Sequence, residues 1–415
     1  MPRTPPLPPA NPFRIGGVVS DAFFTNRADE LRRIEKALLS PGDKLLVFGP
    51  RRMGKSSTLD RAIANVTARK GVAFRADLSG ATTVTDIANR ILQGASRAIG
   101  RRWQDVLGGF LKAITLKVSL SLDPVTGLTL PTLSLEGRTD ALEEQRATLA
   151  RVLDTIDLVA AQRKARVGIV LDEFQTIARF GGEGAEWHLR GIIERHQHVA
   201  YVGAGSELSL LGAMKGEGRA FYKLFRELHL GPIDPEHMAR WIDERLAGAG
   251  VPPNGIGTEV VATAGPRTRD IVELARTVYD VAAPVGSIRD TALDDALQEL
   301  IGTYGESFRR QWEDLPPSQQ NVLRAVAVGE PQLYGRPSLM RFGVRSSAEV
   351  AQAIEWLAKR EILTRDGKAV AFDNPFFQAW VAEQALPDVG ILDSTHDIVQ
   401  RLQASPPKDE PKRGG

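Results

Sequence analysis

Short, uninterrupted apolar runs alternate in the first half of the chain with segments whose apolar residues recur at helical spacing. The clearest runs are residues 44–48, residues 167–171 and the stretch that ends at Gly205. Runs of this length without polar alternation are typical of parallel strands that are buried on both faces. After the first run, one face of a predicted helix carries Leu59, Ile63 and Val66. The alternation predicts an α/β domain built on a parallel sheet.

Further helical patterns lie on either side of the sheet-forming runs. A helix before the first run is predicted to begin with Thr25 or Asn26 as its cap. Residues 235–310 contain two more segments with helical periodicity. We therefore predict an α/β domain over residues 16–234 and a separate helical region over residues 235–310.

Residues 311–390 combine helical patterns with an Asp-Gly turn. Apolar helix faces are predicted for Leu315, Val322, Leu323 and Val326 and, on another helix, for Val350, Ile354 and Leu357. Ser346 or Ser347 is predicted to cap the second of these helices. The segment "ILTRDGKAVAF" predicts a β-hairpin. Three helices with a hairpin describe a winged helix, a helix-turn-helix variant that enters the major groove of double-stranded DNA. Residues 317–390 carry equal numbers of basic and acidic residues, so DNA binding and docking to a protein both remain open.

One insertion and two polar ends complete the domain organisation. At about residues 113–136, apolar and polar residues alternate around "DPVTG", which predicts an inserted β-hairpin. Its exposed face docks a partner or a neighbouring subunit, or it is a structural flap. The Pro-rich residues 1–15 are predicted to form a disordered arm, and residues 391–415 a polar tail.

The composition excludes several classes of protein. Hydrophobic residues make up 42% and charged residues 25% of the chain, as in globular proteins. No stretch approaches the ~20 apolar residues that a membrane span needs, so no membrane partner is expected. The absence of cysteine excludes disulfides, thiolate metal sites and a cysteine nucleophile, and predicts a cytoplasmic location. A net charge of +2 gives no general attraction to nucleic acid, so any such binding is local.

The first strand leads directly into "GPRRMGKS", which fits the phosphate-binding loop pattern in full. Gly49 and Gly54 permit backbone conformations that a Cβ obstructs, so that backbone N–H groups converge on phosphate oxygens at the start of a helix. Lys55 is predicted to reach the β- and γ-phosphates of ATP, and Ser56 to bind Mg²⁺. Ser57 is assigned to the α-phosphate.

The other positions of the loop are predicted to line the phosphates: Pro50, Arg51, Arg52 and Met53. The two arginine side chains contact phosphate or a neighbouring subunit, or they are solvated loop cations. A chance match to the pattern is expected about once in a hundred sequences of this composition. The strand before the loop and the helix after it make a chance match a poor explanation.

Acidic residues and a serine follow the other two strand-like runs. Asp172 and Glu173 come directly after residues 167–171, and Ser206 ends the third run. Because parallel strands place their ligands at their carboxyl ends, we assign Asp172 to Mg²⁺ and Glu173 to the catalytic base. Ser206 senses the γ-phosphate, caps the next helix, or does both. Without the loop, the acidic pair would be more typical of an ordinary helix N-terminus with acids in its first turn.

The segments "FFTNRADELRRIEKAL", "VFGPRRMGKSSTL", "GIVLDEFQTI" and "YVGAGSELSLL" occur in this order. Together they resemble the archaeal-type ATPases, which lie in the signal-transducing (STAND) branch of the AAA+-related P-loop ATPases, close to the origin-recognition and Cdc6-like proteins. The resemblance covers roughly residues 15 to 390. It implies an AAA+-like parallel sheet core, a helical lid and a C-terminal winged-helix domain.

The resemblance also implies roles for residues outside the two nucleotide motifs. It places Asn26 and Arg27 over the adenine. In "AGPRTRDIVELA" it implies a lid arginine that senses the nucleotide, and Arg267 and Arg269 compete for this role because the Gly-Pro pair departs from the family pattern by one residue. A neighbouring subunit typically supplies an arginine finger in the wider superfamily, for which the candidates are Arg219 and Arg226.

These observations predict a Mg²⁺-dependent ATPase whose ATP state controls lid closure, assembly into a homo-oligomer and engagement of double-stranded DNA. The alternative is an ATP-controlled interaction switch or scaffold that works with a partner effector, in which the winged helix does not bind DNA. Nucleotide binding without turnover is disfavoured by the presence of Glu173.

Overall fold

The computed structural model describes residues 10–16, 23–99, 118–122, 129–133, 142–180, 182–206, 218–367 and 369–385. The chain divides into two compact units. The sheet unit is Val18–Gly231, and the helical unit combines Met1–Gly17 with Pro232–Gly415. Among the helices in these ranges, none is both long and apolar enough to span a bilayer.

The strands of the sheet unit are β1 (Lys44–Gly49), β2 (Val72–Asp77), β3 (Val118–Leu122), β4 (Thr129–Leu133), β5 (Val167–Asp172), β6 (Val199–Ser206) and β7 (Arg226–His229). A parallel sheet has the order β2-β5-β6-β1-β7. Every residue of β5 and β6 is buried, as expected for uninterrupted apolar runs. The three predicted strands are therefore confirmed as the adjacent strands β5, β6 and β1 of one sheet.

Helices cover both faces of this sheet. They are α1 (Ala28–Leu38), α2 (Lys55–Ala68), α3 (Val84–Ile99), α4 (Leu142–Arg163) and α5 (Gly182–Arg195). Because side chains alternate along a strand, β1 sends Leu45 and Val47 into a core with α1 and α2. Its Leu46 and Phe48 lie in the opposite core, with α3, α4 and α5. The strand that precedes the phosphate-binding loop is thus held from both sides.

The predicted hairpin insert is confirmed. β3 and β4 pair in antiparallel register, with Val118 opposite Leu133 and Leu122 opposite Thr129. The residues of the "DPVTG" turn between them lie outside the described residues.

The helical unit contains α6 (Pro235–Gly248), α7 (Ile256–Ala264), α8 (Thr268–Ala282), α9 (Ala292–Glu313), α10 (Pro317–Ala327), α11 (Arg336–Arg341), α12 (Ser347–Lys359), β8 (Leu363–Asp366), β9 (Ala369–Phe372) and α13 (Pro375–Ala385). One continuous apolar core joins the predicted lid helices to the predicted winged helix. The strands β8 and β9 are antiparallel, which confirms the predicted wing. Ser346 caps α12 as predicted, and its hydroxyl oxygen accepts a hydrogen bond from the Glu349 N–H at 3.2 Å.

Part of the predicted disordered arm is packed. Phe13 is only 1% exposed, and its ring meets Trp241 of α6 with centroids 5.6 Å apart. The Pro12 carbonyl accepts a hydrogen bond from Arg245 Nη1 at 2.9 Å. Residues 10–15 therefore belong to the helical unit, because Phe13 supplies an apolar anchor within the Pro-rich segment. Residues 1–9 and 386–415 lie outside the described part of the chain.

The predicted cap of α1 is wrong. Arg27, with φ of 69°, occupies the N-cap position, and no side chain caps the helix. Asn26 is also left-handed, with φ of 58°, and its Oδ1 accepts a hydrogen bond from the Arg27 N–H at 2.7 Å. The asparagine side chain therefore closes a tight turn before the helix instead of capping the helix itself.

A buried histidine, which the sequence analysis did not identify, links α4 to the amino end of β6. His196 is 5% exposed, and its ring nitrogens lie 2.7 Å from the Tyr201 hydroxyl and 2.7 Å from Asp154 Oδ1. Tyr201 is completely buried, and this burial raises the pKa of its hydroxyl well above the usual value. The cluster lies at the end of β6 opposite Ser206, so it is separate from the candidate site.

Candidate nucleotide-binding site

The phosphate-binding loop lies between β1 and α2, and two of its positions require unusual backbone geometry. A Cβ on Gly49 would lie 2.3 Å from the Leu230 carbonyl oxygen, so the loop starts where two chain segments approach closely. Arg52 and Gly54 both have left-handed backbones, with φ of 67° and 84°. Turns that alternate in handedness in this way form concave nests of N–H groups that bind anions. The loop residues therefore fit a phosphate group.

Lys55 is held across the loop by the loop's own backbone. Its Nζ donates to the carbonyl oxygens of Gly49 and Pro50, at 2.8 Å each. The side chain is 9% exposed, which places the ammonium inside the loop and not in solvent. Met53 is buried at 3% exposure and anchors the loop to the sheet unit. Arg51 and Ser56 are exposed, and Arg52 and Ser57 are half-buried.

The structure brings the two predicted metal residues together. Ser56, in the first turn of α2, donates its hydroxyl to Asp172 Oδ2 at 3.2 Å. Asp172, the last residue of β5, is 4% exposed, and its Oδ1 accepts the Glu173 N–H at 3.1 Å. A hydroxyl whose proton is donated to a carboxylate keeps its lone pairs available for a cation, and Mg²⁺ prefers such oxygen ligands.

No group of three His, Cys, Asp or Glu side chains that could hold a metal ion by itself occurs in the described ranges. Mg²⁺ in a nucleotide site is usually bound by one or two protein oxygens together with substrate phosphates and water. Ser56 and Asp172 are the residues that would hold it. Lys55 and the loop backbone would hold the phosphates.

Arg75 belongs to this site, although the sequence analysis did not identify it. This residue of β2 donates from Nη1 to Asp172 Oδ2 at 2.8 Å and forms an ion pair through Nε with Asp60 Oδ1 of α2 at 2.9 Å. Burial raises the pKa of Asp60, although Arg75 opposes this effect. Burial disfavours the charged form of Arg75, but Asp60 and Asp172 outweigh it and raise the pKa of the guanidinium. An arginine inside an otherwise apolar strand was the available signal.

Glu173 and Ser206 lie at the same edge of the sheet as the loop. Glu173 follows β5 directly in a left-handed conformation, with φ of 53°. Its Oε2 accepts a hydrogen bond from Gln175 Nε2. Gln175, like Arg75, was not identified from the sequence. Ser206 is the last residue of β6, is 4% exposed and pairs in register with Gly49. The helix that Ser206 was predicted to cap falls in residues 207–217, which lie outside the described residues.

The side chain of Arg27 contacts the backbone of the phosphate-binding loop. Its Nη2 donates to the Met53 carbonyl at 3.2 Å and to the Gly231 carbonyl at 2.6 Å, and its Nη1 pairs with Glu30 at 3.0 Å. The guanidinium is buried, with the whole residue 4% exposed. The residues predicted to lie over the adenine are therefore tied to the phosphate-binding loop.

Of the other predicted arginines, Arg219 and Arg226 belong to the sheet unit, and Arg267 and Arg269 to the helical unit. Arg226 begins β7, pairs with Leu45 in register and forms an ion pair with Asp43, all at the amino ends of the strands. Arg267 is 7% exposed and forms an ion pair with Asp373, which follows the wing. Arg269 is exposed in the first turn of α8. Arg219 is half-buried in the segment between β6 and β7.

Comparison with known proteins agrees with the architecture. A family model described as a probable winged helix domain matches residues 306–383. A Walker-type ATPase of Pyrococcus abyssi superposes with a TM-score of 0.57 at 19% identity, covering 89% of this chain and 99% of that one. The ORC2 protein of Aeropyrum pernix, in ADPNP and ADP complexes, has a TM-score of 0.54 at 13% identity, covering 92% and 96%. No curated protein sequence matches the chain.

These similarities bear on the fold. The predicted parallel sheet core with a helical region and a C-terminal winged helix is confirmed, and the structural neighbours are archaeal Walker-type and origin-recognition proteins, as the resemblance implied. The chain therefore has the AAA+-like P-loop fold of the archaeal Walker-type ATPases, followed by a C-terminal winged-helix domain.

Proposed function

We propose that the chain is a Mg²⁺-dependent ATPase that acts as a molecular switch. The observation that carries the proposal is the 3.2 Å hydrogen bond from Ser56 to Asp172, which joins the phosphate-binding loop to the carboxylate at the end of β5. Binding phosphate requires only the loop, whereas placing a metal ion against that phosphate requires both groups.

Each residue of the loop has a role in this proposal. The backbone from Gly49 to Gly54 surrounds the phosphates, Lys55 contacts the β- and γ-phosphates, and Ser57 supports the α-phosphate. Mg²⁺, when bound, neutralises charge on the phosphates. Glu173 accepts a proton from the attacking water, since its half-buried carboxylate directly follows Asp172.

The switch requires a group that responds to the γ-phosphate. Ser206 is suitably placed at the end of β6, next to Gly49. Of the two lid arginines, Arg269 is the exposed one, whereas Arg267 is held by Asp373. We therefore assign nucleotide sensing to Arg269 and a structural role to Arg267. The ATP state would assemble the chain into a homo-oligomer, with Arg219 or Arg226 reaching the neighbour's nucleotide.

The ATPase activity is tested with three variants of the purified protein. Lys55→Ala should abolish ATP binding, and Glu173→Gln should bind ATP but hydrolyse it at least about 100-fold more slowly. Lys36→Ala removes an exposed lysine from α1 and is the matched control. Unimpaired ATP binding by Lys55→Ala would contradict the assignment of the loop, and unchanged hydrolysis by Glu173→Gln would contradict the assignment of the base.

Assembly is tested with the same proteins. Light scattering after size exclusion should give a larger particle for Glu173→Gln with ATP than with ADP, because the slow variant accumulates the ATP state. A particle of equal mass with both nucleotides would exclude ATP-controlled assembly.

We further propose that the winged helix engages double-stranded DNA through its flanking arginines and not through the exposed face of α12. That face carries Gln352, Glu355 and Lys359, and Lys359 is paired with Glu355 at 2.7 Å. Such a face offers little positive charge to phosphates. Exposed arginines before α12 and in the wing supply it instead: Arg336, Arg341, Arg345 and Arg365.

A second candidate function is docking to a protein partner. It is supported by two large apolar side chains that are exposed on the winged helix, Tyr334 at 46% and Met340 at 76%. Such side chains, when grouped, mark interaction surfaces.

The ATPase rate with and without double-stranded DNA, at low and moderate salt, separates these candidates. Stimulation that fades as salt rises would place the winged helix on phosphates. In the double variant Arg341→Ala and Arg345→Ala, the slope of log affinity against log salt should fall by about 1 per arginine. Arg310→Ala, which removes an exposed arginine from α9, should leave the slope unchanged. A rate that DNA does not alter at either salt would favour the protein partner.

A further inference from the structure

Arg75 joins the two elements that carry the proposed metal residues. It lies on the edge strand β2, one residue before Ala76, and pairs in register with Val170 of β5. Its guanidinium contacts Asp60 on α2 at 2.9 Å and Asp172 at the end of β5 at 2.8 Å. It therefore spans from the helix that begins with the loop to the strand that ends with the carboxylate.

The contacts close a ring of side chains. Asp60 lies one helical turn after Ser56, so both residues share a face of α2. Ser56 and Arg75 donate to the same oxygen, Oδ2 of Asp172. The ring runs from Ser56 to Asp172, Arg75 and Asp60 and returns along α2 to Ser56. It holds the helix at a fixed distance from the end of β5 through two separate contacts.

The two hydrogen bonds to Oδ2 are unequal. The bond from Ser56 is 3.2 Å long, at the far limit of a normal hydrogen bond, whereas the charge-assisted bond from Arg75 is 2.8 Å long. The stronger donor, Arg75, sets the side-chain rotamer of Asp172. The length of the weaker bond from Ser56 depends on that rotamer. A planar guanidinium can hold Asp60 and Asp172 in fixed directions through separate nitrogens, which an ammonium group cannot do.

We propose that Arg75 is a positioning residue for the metal site: it holds Asp172 Oδ2 against the Ser56 hydroxyl and thereby sets the affinity of the nucleotide complex for Mg²⁺. This inference rests on the proposed function. The guanidinium of Arg75 contacts Asp60 and Asp172, so it acts on the metal site through Asp172. Outer-shell partners of ligating carboxylates typically change metal affinity or activity by 10- to 100-fold when they are removed, as an order of magnitude.

The surroundings of Arg75 make the inference testable without disrupting the core. Its side chain is 27% exposed and lines a cavity of about 670 Å³ that it shares with polar residues of α3, among them Arg90. A shorter side chain at Arg75 therefore faces open space and leaves the packing between β2 and β5 intact. Arg90 lines the same cavity but donates to the Asp77 carbonyl at 2.7 Å, and this contact does not involve Asp172.

The test measures Mg²⁺-dependent binding of a fluorescent ADP analogue, mant-ADP, by the full-length protein, without hydrolysis. In EDTA, Arg75→Gln should bind mant-ADP within about twofold of the wild type, because the loop is unchanged. The Mg²⁺ concentration at which binding tightens by half should rise by about tenfold or more. Arg75→Lys keeps the charge without the fork and should lie between the two. Arg90→Gln, the matched control, should follow the wild type.

Two further results distinguish the possible failures. Asp60→Asn loosens the other end of the ring and should shift the Mg²⁺ requirement in the same direction, but by less. If Arg75→Gln has the Mg²⁺ dependence of the wild type and of Arg90→Gln, the positioning role is overturned while the proposed function stands. If the wild type itself binds mant-ADP neither in EDTA nor in Mg²⁺, the proposed function fails instead. Should Arg75→Gln not fold, Arg75→Lys decides the question by the same titration.

Discussion

The loop pattern requires glycine at both Gly49 and Gly54. In the structure, each position requires glycine for a different physical reason, and alanine substitution distinguishes the two. A Cβ on Gly49 would lie 2.3 Å from the Leu230 carbonyl oxygen. Ordinary contact needs about 3.5 Å, so the backbone of Leu230 must move by about 1 Å. Gly54, in contrast, has open space around its Cβ position, and its constraint is a φ of 84°.

The expected costs follow from these geometries. Moving Leu230 overpacks the site and strains the hydrogen bond from the Leu230 N–H to the Phe48 carbonyl, which is 2.7 Å long. Together these effects should destabilise Gly49→Ala by about 2–4 kcal/mol. Gly54→Ala forces an L-residue into the left-handed region, which costs about 1–2 kcal/mol.

The assay is thermal unfolding, followed through the transition that ADP shifts to higher temperature. Gly49→Ala should unfold at a clearly lower midpoint than Gly54→Ala. Asparagine tolerates the left-handed region, so Gly54→Asn should recover part of the loss, whereas Gly49→Asn should be worse than Gly49→Ala. The reasoning would be refuted if Gly49→Ala unfolded at the midpoint of the wild type. It would also be refuted if Gly54→Ala unfolded at a lower midpoint than Gly49→Ala.

Three other predictions concern residues away from the loop. His196→Ala leaves a buried tyrosine hydroxyl without its partner and should lower the free energy of unfolding of the sheet unit by about 1–3 kcal/mol in chemical denaturation. Arg267→Ala and Asp373→Ala should each lower the free energy of unfolding by about 3–5 kcal/mol, because each leaves the other charge buried without its ion-pair partner. The double variant should lose much less than the sum of the two single losses; additive losses would show that the pair is not coupled. The pKa of Asp86 is lowered from 3.8, chiefly by the hydroxyl of a neighbouring threonine. Its stabilising contribution is therefore present above that value and lost as the pH falls through the lower, folded-state pKa, so the difference in midpoint between the wild type and Asp86→Asn should shrink below about pH 4.

The sequence was sufficient to predict the elements whose physics is local. Residues 45–48 and 167–171 are runs without charged residues, and both proved to lie in strands of the parallel sheet. The hairpin pairing of the wing strands and the serine cap of α12 depend on residues close in sequence, and both are confirmed. The meeting of Ser56 with Asp172 was predictable because parallel strands end at a common edge.

Other contacts between distant segments were not predictable from one sequence. Arg75 lies in a strand with no motif, and its role follows only from the adjacency of β2 and β5, which periodicity does not specify. Arg27 was expected near the adenine through a resemblance, yet its bonds to Met53 and Gly231 depend on the path of the chain after β7. The cap of α1 was misjudged because two successive left-handed residues, Asn26 and Arg27, are rare outside glycine and leave no pattern of their own.

The packing of Phe13 has a consequence for how the protein forms during synthesis. Residues 10–16 leave the ribosome before the sheet unit, but their partners lie on α6 and α8, beyond the whole sheet unit in the chain. Because domains generally fold as they emerge, the sheet unit can complete its core while this first segment is still undocked. This segment is thus made before the sheet unit and is among the last parts of the chain to reach its native contacts.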